Sequence, residues 1–218
     1  LVLEDNRLQT LALSIAERGG APALPQLVRA IEMLEEAGRL NRTVEGLGTN
    51  EDLLRRAQEH RGLTRPELAV LLSTTKMALQ GAIERTRLAE DASMEADLLA
   101  AFPPAMQQRH RDAILKHRLR REIVATKVAN RFVNRMGILA PFALTEEEGA
   151  SFGQAAIAFV GAERLFDMPR LWAELDGADV PEAARLALFE HAARGLQLHI
   201  GDLLRCTAPT MLPAEIVD

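Results

Sequence analysis

Apolar positions recur at helical spacing through most of this chain, and most densely between Arg109 and Gly137. There Leu115, Leu119 and Ile123 stand four apart, and so do Val124, Val128, Phe132 and Met136. Two such rows side by side form a broad apolar face. Pro103 and Pro104 precede the run and Gly137 closes it. The pattern predicts a long central helix over about 109–136. Its Leu119, Ile123, Val128 and Phe132 are expected in the core beside Leu68, Leu72 and Leu79 of an earlier helix.

The remaining segments read as helices too. Asn6 to Arg18 presents Leu8, Leu11, Ala12 and Ile15 on one face and stops at Gly19-Gly20. A second helix is expected from about Pro22 to Ala37, then a loop over 39–48, then a short helix opened by Thr49. Leu63-Thr64-Arg65-Pro66-Glu67-Leu68 is the clearest local signal. Thr64 and Glu67 make a capping box, and Leu63 and Leu68 make its staple. Further helices are expected at 93–102, 141–148, 151–165, 168–176 and 180–205, with Ser151, Asp167 and Asp179 as N-caps. No strand-like alternation exceeds four residues. The expected fold is all-α, a multi-helix orthogonal or bundle-like array around the central helix. Residues 1–137 would form one subdomain and 138–206 a second packed on it. Residues 207–218, with Pro209 and Pro213, would be a loose tail.

Length and composition change this picture little. With 218 residues, 48% hydrophobic and 26% charged, the chain can bury a real core. Its single cysteine, Cys206, excludes an internal disulfide and fits a reducing, cytoplasmic setting. No apolar run is long enough to span a membrane. The chain opens Leu1-Val2-Leu3 in mid-pattern, which reads as a piece of a longer protein.

Charge is distributed unevenly. Arg109–Arg135 holds nine Lys or Arg against Asp112 and Glu122, a net +7 that leaves −12 on the rest. Arg118, Arg120, Arg121, Lys127, Arg131 and Arg135 mark a possible interaction face. They surround the helix axis and are not interleaved with aromatics, so nucleic-acid binding is the weaker reading. Neutralisation by the chain's own acidic stretches is expected, with Glu32–Glu36, Glu90–Asp97 and Glu146–Glu148 available.

No catalytic, cofactor or metal set emerges. Gly46-Leu47-Gly48 starts like a dinucleotide loop, but Glu51 stands where the third Gly belongs and no strand precedes it. His110 and His117 are seven apart on one predicted face without a matching carboxylate or Cys, and His191 and His199 fare no better. Cys206 lacks a sequence-encoded base, Glu146–Glu148 reads as a solvated helix end, and Trp172 near Phe166 reads as packing.

Several strings together resemble one family. They are Leu3-Glu4-Asp5-Asn6-Arg7-Leu8-Gln9-Thr10-Leu11-Ala12-Leu13-Ser14, Gly38-Arg39-Leu40-Asn41-Arg42, and Gly62-Leu63-Thr64-Arg65-Pro66-Glu67-Leu68-Ala69-Val70-Leu71-Leu72. His117 to Thr126 and Val133 to Gly137 complete the set. In order and spacing they are similar to the large bacterial NAD-specific glutamate dehydrogenases, over about residues 1 to 175 and more loosely beyond. The resemblance implies a parent enzyme that converts L-glutamate, NAD and water to 2-oxoglutarate, ammonium and NADH. It places this stretch in the helical region after the catalytic and nucleotide-binding domains. It therefore implies NAD in the parent and no catalytic or cofactor residue here. The implied partners are the catalytic domain of the same chain and further copies of the parent. Two roles are open for such a region: a structural and interaction domain, or a domain that senses a small regulator.

Overall fold

The computed structural model describes residues 2–217. The elements are α1 (Val2–Gly19), α2 (Leu24–Glu36), α3 (Arg42–Glu45), α4 (Asn50–Gln58), α5 (Arg65–Glu84) and α6 (Glu95–Leu99). They continue with α7 (Pro104–Arg109), α8 (Arg111–Leu115), α9 (Arg120–Met136), α10 (Ala140–Glu148) and α11 (Phe152–Leu165). The last are α12 (Met168–Gly177), α13 (Glu182–Cys206) and α14 (Pro213–Val217). No strand occurs among the described residues, so the class is all-α as expected.

The core is built on α5 and α9, which pack along each other. Helix α1 lies across both, and α11 packs against α5, α9 and α13. From α9 the row Val124, Val128 and Phe132 is fully buried. Phe132 stacks on Phe159 of α11 with ring centroids 4.6 Å apart. Gly153 lets the start of α11 approach the end of α5: a Cβ there would stand 3.4 Å from the Ala82 carbonyl oxygen and 2.7 Å from Cγ2 of Thr86, just past the helix. Buried side chains on both sides of Gly137 join one apolar cluster, so the expected boundary at 137/138 does not interrupt the core.

The central helix is shorter than expected. It begins at Arg120, and residues 104–115 form two short helices separated at His110, whose φ of −131° and ψ of 29° are not helical. The break at 116–119 has a local cause. In a continuous helix the Leu119 N–H would donate to the Leu115 carbonyl. Instead it donates to His117 Nδ1 at 3.1 Å, and the Leu115 carbonyl accepts from Arg120 Nη1 at 3.1 Å. Leu119 consequently stays 43% exposed and leaves the expected core. At the other end Gly137, with φ of 89°, closes α9, its N–H donating to the Val133 carbonyl.

Three further expectations change. The 39–48 loop contains the single turn α3, opened by Asn41, whose Oδ1 accepts from Val44 N at 3.2 Å. Asp167 sits at the start of α12 in a left-handed conformation without capping by its side chain, and α13 starts after Pro181, not Asp179. The stretch expected to be loose carries α14, which packs on α11 with Ile216 against Gly161. Pro213 opens this helix, and Glu215 Oε2 accepts from Leu212 N at 2.7 Å. A proline in a first turn favours a helix rather than ending one.

The Thr64 start of α5 holds in detail. Glu67 Oε2 accepts from Thr64 N at 2.7 Å and from its hydroxyl at 2.8 Å, while Arg56 Nη1 donates to both Glu67 oxygens. Burial works against the charge, but these donors outweigh it and hold the Glu67 carboxyl below its usual range. Its contribution is therefore complete above the unfolded pKa and is lost as pH falls through the lower folded value. Thr64→Ala is expected to cost roughly 1 kcal/mol at neutral pH. Glu67→Gln should flatten the acid limb of stability against pH in urea melts. An acid limb identical in the two proteins would remove Glu67 from the account.

Candidate interaction face on the central helix

The six cations singled out on and before α9 do not share one surface. Arg118, Arg120 and Arg121 gather at its start, around a shallow depression with Ala89, Glu90 and Glu122. Arg120 Nε donates to the Ala89 carbonyl at 2.5 Å, and Arg121 Nη2 to Glu90 Oε1 at 2.9 Å. Arg118 and Lys127 have no polar partner among the described residues. One helical face beyond, Arg131 and Arg135 turn inward.

Arg131 is held between two elements. Its Nη1 donates to Asp97 Oδ1 of α6 at 2.5 Å and its Nε to Glu163 Oε2 of α11 at 2.7 Å. Burial alone would loosen the Arg131 proton, but Glu163 and Asp97 hold it more firmly than water does. Glu163 is 2% exposed. Burial pushes its carboxyl above the usual range against the pull of Arg131.

Arg135 is clamped by the second half of the chain. Its Nη2 donates to Asp176 Oδ2 of α12 at 2.9 Å, and Arg7 of α1 pairs with Oδ1 of the same carboxylate at 3.1 Å. The guanidinium lies 5.2 Å from the centroid of Trp172 and 5.4 Å from that of Phe189. Those two rings stack at 5.7 Å, which places Trp172 in the packing.

The expected internal neutralisation is partial in its details. Glu90 and Asp97 do meet α9, together with Glu163 and Asp176, which the sequence did not single out. Glu35 instead pairs with Arg42, Glu146 with Arg29, and Glu148 with Arg205. With Arg131 and Arg135 turned inward and only partly exposed, the cations do not form the continuous stripe that tracking of phosphates needs.

A residue missed in the sequence lies between the arginines. Asn134 is 3% exposed, and neither its amide oxygen nor its nitrogen has a hydrogen-bond partner among the described residues. Glu163 Oε1, Trp172 Nε1 and Arg135 Nη1 nearby are also unpartnered. Each such atom costs about 1–3 kcal/mol. No sequence pattern could reveal this, because an Asn at a buried helical position reads like any other polar interruption.

The other candidates stay apart. Gly46 ends α3 in a left-handed conformation and Gly48 leads into α4, so no strand feeds the turn and these residues do not fit a dinucleotide. His110 and His117 occupy different segments, and His117 lies against Phe102 with centroids 5.6 Å apart. His199 stacks on Phe166 at 4.3 Å and stands 3.8 Å from Asp202. Cys206 is exposed at the end of α13. No group of three His, Cys, Asp or Glu able to hold a metal occurs among the described residues, and none of their helices is long and apolar enough to cross a membrane.

The family model described as glutamate dehydrogenase, C-terminal, matches residues 60–217. Three curated relatives carry the name NAD-specific glutamate dehydrogenase. The protein from Halomonas elongata is 37% identical over 199 residues, covering 90% of this chain and 12% of the relative. That from Pseudomonas aeruginosa is 36% identical, covering 89% of this chain and 12% of the relative. That from Mycobacterium tuberculosis is 31% identical, covering 84% and 11%.

Proposed function

Because this chain belongs to the glutamate dehydrogenase C-terminal family, we propose that it is a helical structural and interaction domain serving a far larger NAD-dependent enzyme. The chain spans about 12% of the length of the first relatives it matches. The parent reaction on this reading is oxidation of L-glutamate, with NAD and water, to 2-oxoglutarate, ammonium and NADH. Chemistry and cofactor would reside in the remainder of the parent, and this region would brace that remainder or join copies of it.

One observation supports bracing above the alternatives. The strongest charges of α9 are spent inside the fold, where Arg131 ties α6 to α11 and Arg135 ties α9 to α12. Such ties fix the relative position of helices more than they recognise a soluble partner. Of the Arg118, Arg120 and Arg121 cluster, Arg118, exposed at the start of the basic helix, is the cation left to face another domain.

The test has two arms. The purified chain is expected to show no glutamate-dependent reduction of NAD, and turnover rising with its concentration would overturn the non-catalytic assignment. The remainder of the parent, expressed alone, is expected to be less stable or less assembled than when co-expressed with this chain. A remainder equally stable, assembled and active alone would overturn bracing.

A further inference from the structure

A cleft of about 560 Å³ lies where α1, α9 and α13 converge. That is within the size range of small-molecule sites. Its polar lining is Arg18, Gln26, Asn134, Arg135, Arg194 and Gln197. Ala12 and Ile15 supply an apolar wall.

The charges do not balance. Three arginines line the cleft: Arg18 stands 3.9 Å from Glu190 and Arg135 is paired with Asp176, which leaves the charge of Arg194 unmatched. Arg194 has no ion-pair partner among the described residues, and its nearest polar contact is a long one of 3.5 Å to the Glu190 carbonyl. Arg135 uses Nη2 on Asp176 and leaves Nη1 unpartnered. Beneath these groups lies Asn134, more than nine-tenths buried, with amide donor and acceptor both unmet. An excess of donors beside an unmet amide suits a ligand that brings acceptor oxygens and negative charge.

We propose that this cleft binds a small molecule bearing an oxyanion, carboxylate or phosphate, held by Arg18 and Arg194 at its mouth and by Arg135 and Asn134 at its base. The site joins α1 to α9 and α13, so occupancy locks α1 against the rest of the fold. It rests on the cleft's own geometry and survives whether or not the domain braces a catalytic partner.

The experiment titrates the 218-residue chain with sodium phosphate and, separately, with sodium succinate, at ionic strength held constant with sodium chloride. Thermal unfolding and the emission of Trp172, the sole tryptophan, are read together. Trp172 reports because it packs on the Arg135 guanidinium. A saturable rise in Tm with a matching change in emission is expected for at least one of the two anions. Which anion saturates at lower concentration separates a phosphate from a carboxylate ligand.

Arg194→Ala should weaken that binding about ten-fold or more, the usual worth of a hydrogen bond to a charged group. Arg170→Ala is the control, because Arg170 is exposed on α12 and pairs with Glu174 away from the cleft. Both substitutions are at exposed side chains and should leave the fold intact. No saturable effect from either anion would overturn the site. So would a linear rise that Arg194→Ala preserves, since that is the general action of excluded salts.

Discussion

Phe132→Ala is expected to lower the stability of the fold by about 3–5 kcal/mol, the usual cost of emptying a buried aromatic site. Phe132 is fully buried at the centre of α9 and stacks on Phe159 with an interplanar angle of 8°. Its removal opens a void between α9 and α11, and the close approach of α11 to α5 at Gly153 limits collapse around it. Leu119→Ala is the paired control. Leu119 is 43% exposed in the break before α9, so its loss should cost only about 0.5 kcal/mol. Urea melts of the two variants measure the contrast. Equal losses would mean that Leu119 is buried and that 109–136 is one continuous helix after all.

That contrast also marks where the sequence was legible. The helix start at Thr64 could be read because a capping box lies within four residues of chain, and Ser151, expected only as an N-cap, opens a capping box as well. The row Val124, Val128, Phe132 could be read because a helix repeats its own face every turn. The parallel row through Leu115 and Leu119 looked equally good. Leu115 and Ile123 do pack on the core, but Leu119 leaves it at the break, where the Arg120 side chain turns back to the Leu115 carbonyl and across to Ala89, 31 residues earlier. A contact at that separation leaves no periodic trace.

The inward turn of Arg131 was hidden for the same reason. Arginine on a helix normally signals a solvated face, and only partners 32 and 34 residues away draw this one inward. The site residues thus split by range. Net charge showed that α9 needed acidic partners, and Glu90 and Asp97 stood out as a run. Glu163 sits alone in the apolar sequence of α11, and Asp176 lies near its end of α12, so neither announced itself. The unmet amide of Asn134 is a property of packing alone.

Arg131→Met should be among the most damaging single changes, at about 3–5 kcal/mol, because it leaves the buried Glu163 and the half-buried Asp97 without their cation. Glu163, 2% exposed, would lose that cation and keep the penalty of burial. Asp97 would lose the same partner from α6. The loss should carry a pH signature. With Arg131 gone, only the weaker pull of Arg135 offsets the burial that already raises the Glu163 carboxyl, so its folded pKa climbs further above the unfolded value. A raised carboxyl favours the folded state at low pH and loses that advantage as pH rises through the folded pKa. The deficit of Arg131→Met against the parent chain should therefore be smallest in acid and grow towards neutrality. Adding Glu163→Gln removes the stranded charge while keeping the shape. The double variant should recover about 0.5–3 kcal/mol over Arg131→Met and lose most of that slope. If the double variant is instead as unstable as the sum of two independent losses, with the slope intact, Arg131 and Glu163 are not coupled. The tie between α6, α9 and α11 would then have to rest on apolar contact alone.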